Sequence, residues 1–145
     1  MRIFISFLFF VFVSLPAVAQ EDVAVAPDLE AFGQEVIEVF ASGDKAAYMS
    51  ILHPECPAPD AGMLAWKLSR KWQPAKADQR VRDFADAYDR TVLEFLVEPE
   101  ERALEFQVWT LKPDGREGEL VTGYPVAIHD GAFKILDYPC FKPKE

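Results

Sequence analysis

Histidine and cysteine are scarce in this chain: 145 residues carry two of each, beside seven glycines. No H-E-x-x-H, P-loop, dinucleotide fingerprint or G-x-S-x-G pattern occurs. The chain therefore has no motif for zinc proteolysis, phosphate cradling or nucleophile-elbow hydrolysis, and no cofactor is implied. Positive charge is also short, with 15 Lys and Arg against 24 Asp and Glu, a net charge of −9. That balance repels polyanions and argues against nucleic acid as a partner. Long apolar runs are missing too. A spanning helix needs roughly 20 predominantly apolar residues, and the stretch Ile3–Val13 is 11 residues long.

What is present begins with that stretch. Arg2, the apolar residues after it, Pro16 and Ala17-Val18-Ala19 form a basic n-region, a short h-region and an A-x-A cleavage site. This reads as a signal peptide over 1–19. The protein is then expected to be exported by a bacterium, periplasmic or secreted, with no transmembrane span after cleavage. Residues 20–27 read as a flexible segment and 28–145 as one domain. Half the chain is apolar and 13% aromatic, enough for a real core.

Export changes the meaning of Cys56 and Cys140. Two cysteines in an oxidising compartment are expected to pair. Closing so long a loop would contribute on the order of 4 kcal/mol in the chain-entropy model. The rival is a metal site through His53, Cys56 and Cys140, for which a fourth ligand is not evident.

The pattern along the chain is helical first. Asp28 is a plausible N-cap, and Leu29, Phe32, Val36, Ile37 and Phe40 recur at helical spacing up to Ser42-Gly43. Asp44 caps a second helix that His53-Pro54 ends. Asp60 caps a third, with the stripe Ala61, Leu64, Ala65, Leu68 and Trp72, and Pro74 just beyond its end. Trp66 and Trp72 are read as packing residues. Residues 77–90 are ambiguous between helix and a strand over 79–84 followed by an irregular turn.

The remainder is β. Thr91–Val97 is rich in β-branched and aromatic residues. Ala103–Leu111 alternates, with Leu104, Phe106 and Val108 on one face and Glu105, Gln107 and Trp109 on the other. Glu119–Ile128 and Phe133–Tyr138 flank His129-Asp130-Gly131-Ala132, where Asp-Gly suits a type I′ turn. Pro139-Cys140 ends the sheet. Segregated helices and strands imply an α+β fold.

Charge is uneven. Glu21–Asp60 is acidic, whereas Lys67–Arg82 holds Lys67, Arg70, Lys71, Lys76, Arg80 and Arg82. Such runs are usually solvated faces, here complementing the acidic first helix. The functional reading is an anion-binding face.

The element order and two local patterns resemble the NTF2-like (cystatin-like, SnoaL-like) superfamily. One pattern is Ala41-Ser42-Gly43-Asp44 with Tyr48, Leu52 and His53-Pro54. The other is the closing hairpin His129-Asp130-Gly131-Ala132-Phe133-Lys134-Ile135. The resemblance spans about 28–138. It implies a cone of N-terminal helices on a curved antiparallel sheet, a pocket between them, and often a homodimer. Ketosteroid-isomerase-like members place a tyrosine and acids in that pocket. Tyr48 or Tyr124 could stand in for the tyrosine, and Asp60 or Glu94 for an acid. His53 and His129 read as a helix-end residue and a turn residue. The expected role is an exported domain binding a small apolar ligand or an envelope protein. The alternatives are a cofactor-independent isomerase or lyase, and a structural or inhibitory interaction module.

Overall fold

The computed structural model describes residues 27–145. The proposed signal peptide and the segment up to residue 26 lie outside the described residues. Three helices come first: α1 (Leu29–Ser42), α2 (Lys45–Ile51) and α3 (Ala61–Ser69). Each starts on an aspartate that accepts from freed N-terminal amides. Asp28 takes the Glu30 N–H at 2.9 Å. Asp44 takes Ala46 and Ala47 at 2.7 and 3.3 Å, and Asp60 takes Gly62 and Met63 at 2.9 and 3.2 Å. Gly43 closes α1 at φ 66°, a left-handed conformation that costs glycine little.

The strands are β1 (Lys71–Asp83), β2 (Leu93–Phe95), β3 (Arg102–Leu111), β4 (Glu117–His129), β5 (Ala132–Ile135) and β6 (Phe141–Pro143), with a short helix α4 (Phe84–Ala87) after β1. An antiparallel sheet runs in the order β1-β3-β4-β5, and β2 pairs with β6 in a separate ribbon. The fold is therefore α+β, with α1 packed against β1. The β4–β5 hairpin turns through Asp130 at φ 49° and Gly131 at φ 77°, as the Asp-Gly pair requires.

Five expectations are corrected. Trp72 is not on α3 but on β1, buried at the register position opposite Thr110. Leu64, Leu68 and Trp72 fit one helical stripe, but the helix stops at Ser69, whose hydroxyl donates to Trp66 O at 2.8 Å and competes with the backbone ladder. Trp66 is 58% exposed. It lies two residues from both Leu64 and Leu68, about 200° round the helix from the buried side. The first strand starts at Lys71 rather than 79 and contains Pro74. Proline is tolerated there because β1 is an edge strand whose register shifts between Trp72 and Ala77. Thr91–Val97 contributes only β2, and the chain beyond Cys140 continues into β6.

The inner face of the sheet and the helices share one core. Phe40 stacks on Trp72 at 4.5 Å between ring centroids and on Tyr124 at 5.9 Å. Trp72 meets Phe106 at 5.1 Å. Truncating a ring in such a layer costs roughly 3–5 kcal/mol.

Cys56 and Cys140 form a disulfide with their Cα atoms 4.9 Å apart. It ties the connector after α2 to the turn that follows β5. Among the described residues no group of three or more potential metal ligands occurs, and no helix is long and apolar enough to cross a membrane.

Candidate functional site

The turn held by Cys140 carries the least expected group. Asp137 is 7% exposed, and both its oxygens are engaged. Oδ1 accepts from the Tyr138 N–H at 2.8 Å. Oδ2 accepts from the Tyr48 hydroxyl at 2.6 Å and from the Lys67 ammonium, with which Asp137 forms an ion pair. A buried carboxylate persists only with such partners. The Cys140 N–H donates to Asp137 O at 2.7 Å, so the disulfide braces the turn that presents the carboxylate.

Three elements converge on this carboxylate. Tyr48 comes from α2 and is 0% exposed, its ring meeting Phe40 edge-on at 5.9 Å. Lys67 comes from α3 and lies 5.3 Å from the centroid of the Tyr124 ring of β4. Burial, then the Asp137 charge and the hydrogen bond to it, push the Tyr48 phenol well above its ordinary value of 10.0. Burial and then the Asp137 charge do the same to Tyr88 and Tyr124. All three phenols remain donors through the physiological range. Tyr88 reaches this region past Gly123, where an added Cβ would lie 2.9 Å from Leu104 O and 3.3 Å from the Tyr88 hydroxyl.

Beside these groups opens a cleft of about 490 Å³, within the range of small-molecule sites, roughly 300–1,000 Å³. Its floor is the aromatic layer of Phe40, Trp72 and Tyr124, and Asp137 and Lys67 reach it as well. Trp66 of α3 and Arg70, the residue that follows its last turn, line it from one side. Thr110 of β3 and Leu120 and Thr122 of β4 share the sheet face that carries Phe106 and Tyr124. A hollow of about 470 Å³ over Phe84–Arg90 is lined by that one consecutive stretch alone, so no groups converge on it from other elements.

The sequence candidates fall in different places. Tyr48 and Tyr124 come together around Asp137, Tyr48 behind the cleft and Tyr124 in it. Asp60 is the exposed cap of α3. Glu94 lies on the β2–β6 ribbon, half-exposed and 3.2 Å from Lys142. His53 is 3% exposed, bonded through its N–H to Ile135 O at 3.0 Å, and its Nδ1 accepts from the Glu55 N–H at 3.2 Å. Burial is the chief cause holding its imidazole below 6.5; Glu55 opposes this, and His129 and Lys134 add to it. The His129 ring is 5.2 Å away, and neither histidine lines the cleft.

The sequence reading missed Asp137, and it placed Lys67 only in a basic segment read as a solvated or anion-binding face. The available signal for Asp137 was a lone acid after Phe133-Lys134-Ile135-Leu136 at a strand end. Half of the basic segment meets sheet carboxylates and, among the described residues, none of it pairs with an acid of α1: Arg80 and Arg82 pair with Glu105, the latter at 2.8 Å, and Lys76 with Glu117 at 3.3 Å. No family model, curated protein or solved structure matches this chain.

Proposed function

We propose that this chain is an exported NTF2-like domain that holds a small apolar ligand in the cleft between α3 and β4. The observation that carries the reading is the aromatic floor of Phe40, Trp72 and Tyr124 beside a few convergent polar groups. Mostly apolar walls with sparse, fixed polar groups are the usual composition of small-molecule sites. The order of helices before antiparallel strands supports the family reading, and the paired cysteines support export.

Native mass spectrometry of protein purified without denaturation tests it. A co-purified small molecule is expected on the wild type and absent from Thr122→Trp, whose indole would fill the cleft. A wild type that is consistently empty and takes up no apolar probe would end the reading.

A second reading is a cofactor-independent isomerase or lyase. It is favoured by one observation: Asp137 and Lys67, an acid–base pair, reach the same cleft as Tyr124. General acid–base work requires such groups within hydrogen-bond reach of the substrate. Solvent deuterium entering a carbon acid such as a cyclic ketone, and lost in Asp137→Asn, would support catalysis. Recovery of the ketone without exchange leaves the binding role alone.

A further inference from the structure

Two cations in the cleft have no carboxylate partner among the described residues. Arg70 and Lys112 are half-buried, and among the described residues neither forms an ion pair. The Arg70 guanidinium lies 4.1 Å from the centroid of the Trp66 ring, which holds its planar fork at the side of the cleft. Lys112 enters from the end of β3, its backbone fixed by an N–H bond to Arg116 O at 2.9 Å.

The acids nearby do not neutralise them. Asp137 is matched by Lys67. Glu119 also borders the cleft, but it lies opposite Trp109 in the β3–β4 register and its carboxylate accepts from Gln107 at 2.6 Å. Gln107 and Trp109 alternate with the buried Phe106 and Val108, so that carboxylate belongs to the outer face of the sheet. The cleft therefore carries unpaired positive charge in a chain whose net charge is −9. Half-buried cations without carboxylates are poorly compensated, and an anionic ligand supplies what they lack.

Resting on the reading of the cleft as a small-molecule site, we infer that it selects a planar aromatic carboxylate. The ring lies against the exposed Trp66 indole, above the buried Phe40, Trp72 and Tyr124, and the carboxylate meets Arg70 and Lys112. The Trp66 indole, 58% exposed at the side of the cleft, gives a planar body a face to stack on that a branched aliphatic one would not use as well. The guanidinium fork favours a carboxylate over a neutral hydroxyl.

Titration calorimetry with three probes of one shape tests this: naphthoate, naphthylmethanol and naphthylmethylammonium. The wild type is expected to bind naphthoate at least about tenfold more tightly than naphthylmethanol, and the ammonium most weakly. The double variant Arg70→Gln, Lys112→Gln is expected to bring naphthoate within about twofold of naphthylmethanol. Its unchanged affinity for naphthylmethanol reports that the cleft is intact. Arg116→Gln, which removes a cation already paired with Asp114 at 2.6 Å, is expected to keep the preference. Equal wild-type affinities, or a preference that survives in the double variant, would overturn the charge selection and leave the pocket standing. A wild type that binds none of the three would overturn the pocket reading and this inference with it.

Discussion

Asp137 concentrates the residue-scale chemistry, because a carboxylate that is 7% exposed depends on each of its donors. Tyr48→Phe removes one bond to Oδ2 and leaves the Lys67 ammonium and the Tyr138 N–H in place. The expected loss is about 1.5–3 kcal/mol, the range for a hydrogen bond to a charged group, read from urea unfolding. A variant as stable as the wild type would show that the phenol contributes nothing to holding the charge. His53 supplies a pH dependence. Its folded-state imidazole titrates below 6.5 because burial disfavours the cation. The unfolded chain therefore binds a proton that the folded chain refuses. The stability tied to neutral His53 is complete above 6.5 and is lost as pH falls through that value toward the folded one. His53→Gln is expected to flatten the fall in unfolding free energy between about pH 7.5 and 5.5. An identical slope in variant and wild type would assign the dependence elsewhere. The sequence showed Tyr48 and Tyr124 as candidates because tyrosine type and approximate place are local properties. It hid Lys67 and Asp137 because their meeting depends on a 70-residue separation closed only by the tertiary fold.

At the scale of elements, the readable features were those with local causes. Three aspartate caps, the Gly43 stop and the Asp130-Gly131 turn each act within a few residues, and each appears where its chemistry put it. Trp72 was misplaced because a spacing of four continues a helical stripe whether or not the helix does. Pro74 was read as a helix boundary, whereas its place on an edge strand depends on which strands pair. The disulfide joins the two kinds of information. Pairing followed from compartment and number, but its effect on Asp137 required the turn between Leu136 and Cys140. Reduction, or Cys56→Ser with Cys140→Ser, is expected to cost about 2–5 kcal/mol. It should also loosen the Asp137 turn, seen as faster amide hydrogen exchange at Tyr138 and Cys140 than at residues of β3. Uniform acceleration across the sheet would indicate global destabilisation without a bracing role.

On the scale of the whole molecule, the buried aromatic layer of Phe40, Trp72 and Tyr124 backs a cleft whose rim carries cations in an otherwise acidic chain. Lys76, Arg80 and Arg82 of β1 sit on sheet carboxylates, whereas Arg70 and Lys112 line the cleft without an ion pair among the described residues. The α+β class was legible because helical and extended patterns occupy separate halves. The cleft was not, since it forms where α3 lies beside the inner face of β4 and no local pattern encodes that distance. Its existence as a ligand site is the central claim. Heteronuclear NMR of the folded protein titrated with naphthylmethanol tests it most directly. Saturable shifts are predicted at Trp66, Trp72, Thr122 and Tyr124, and their absence in Thr122→Trp. Shifts confined to the stretch around Phe84–Arg90, or none at saturating probe, would contradict it.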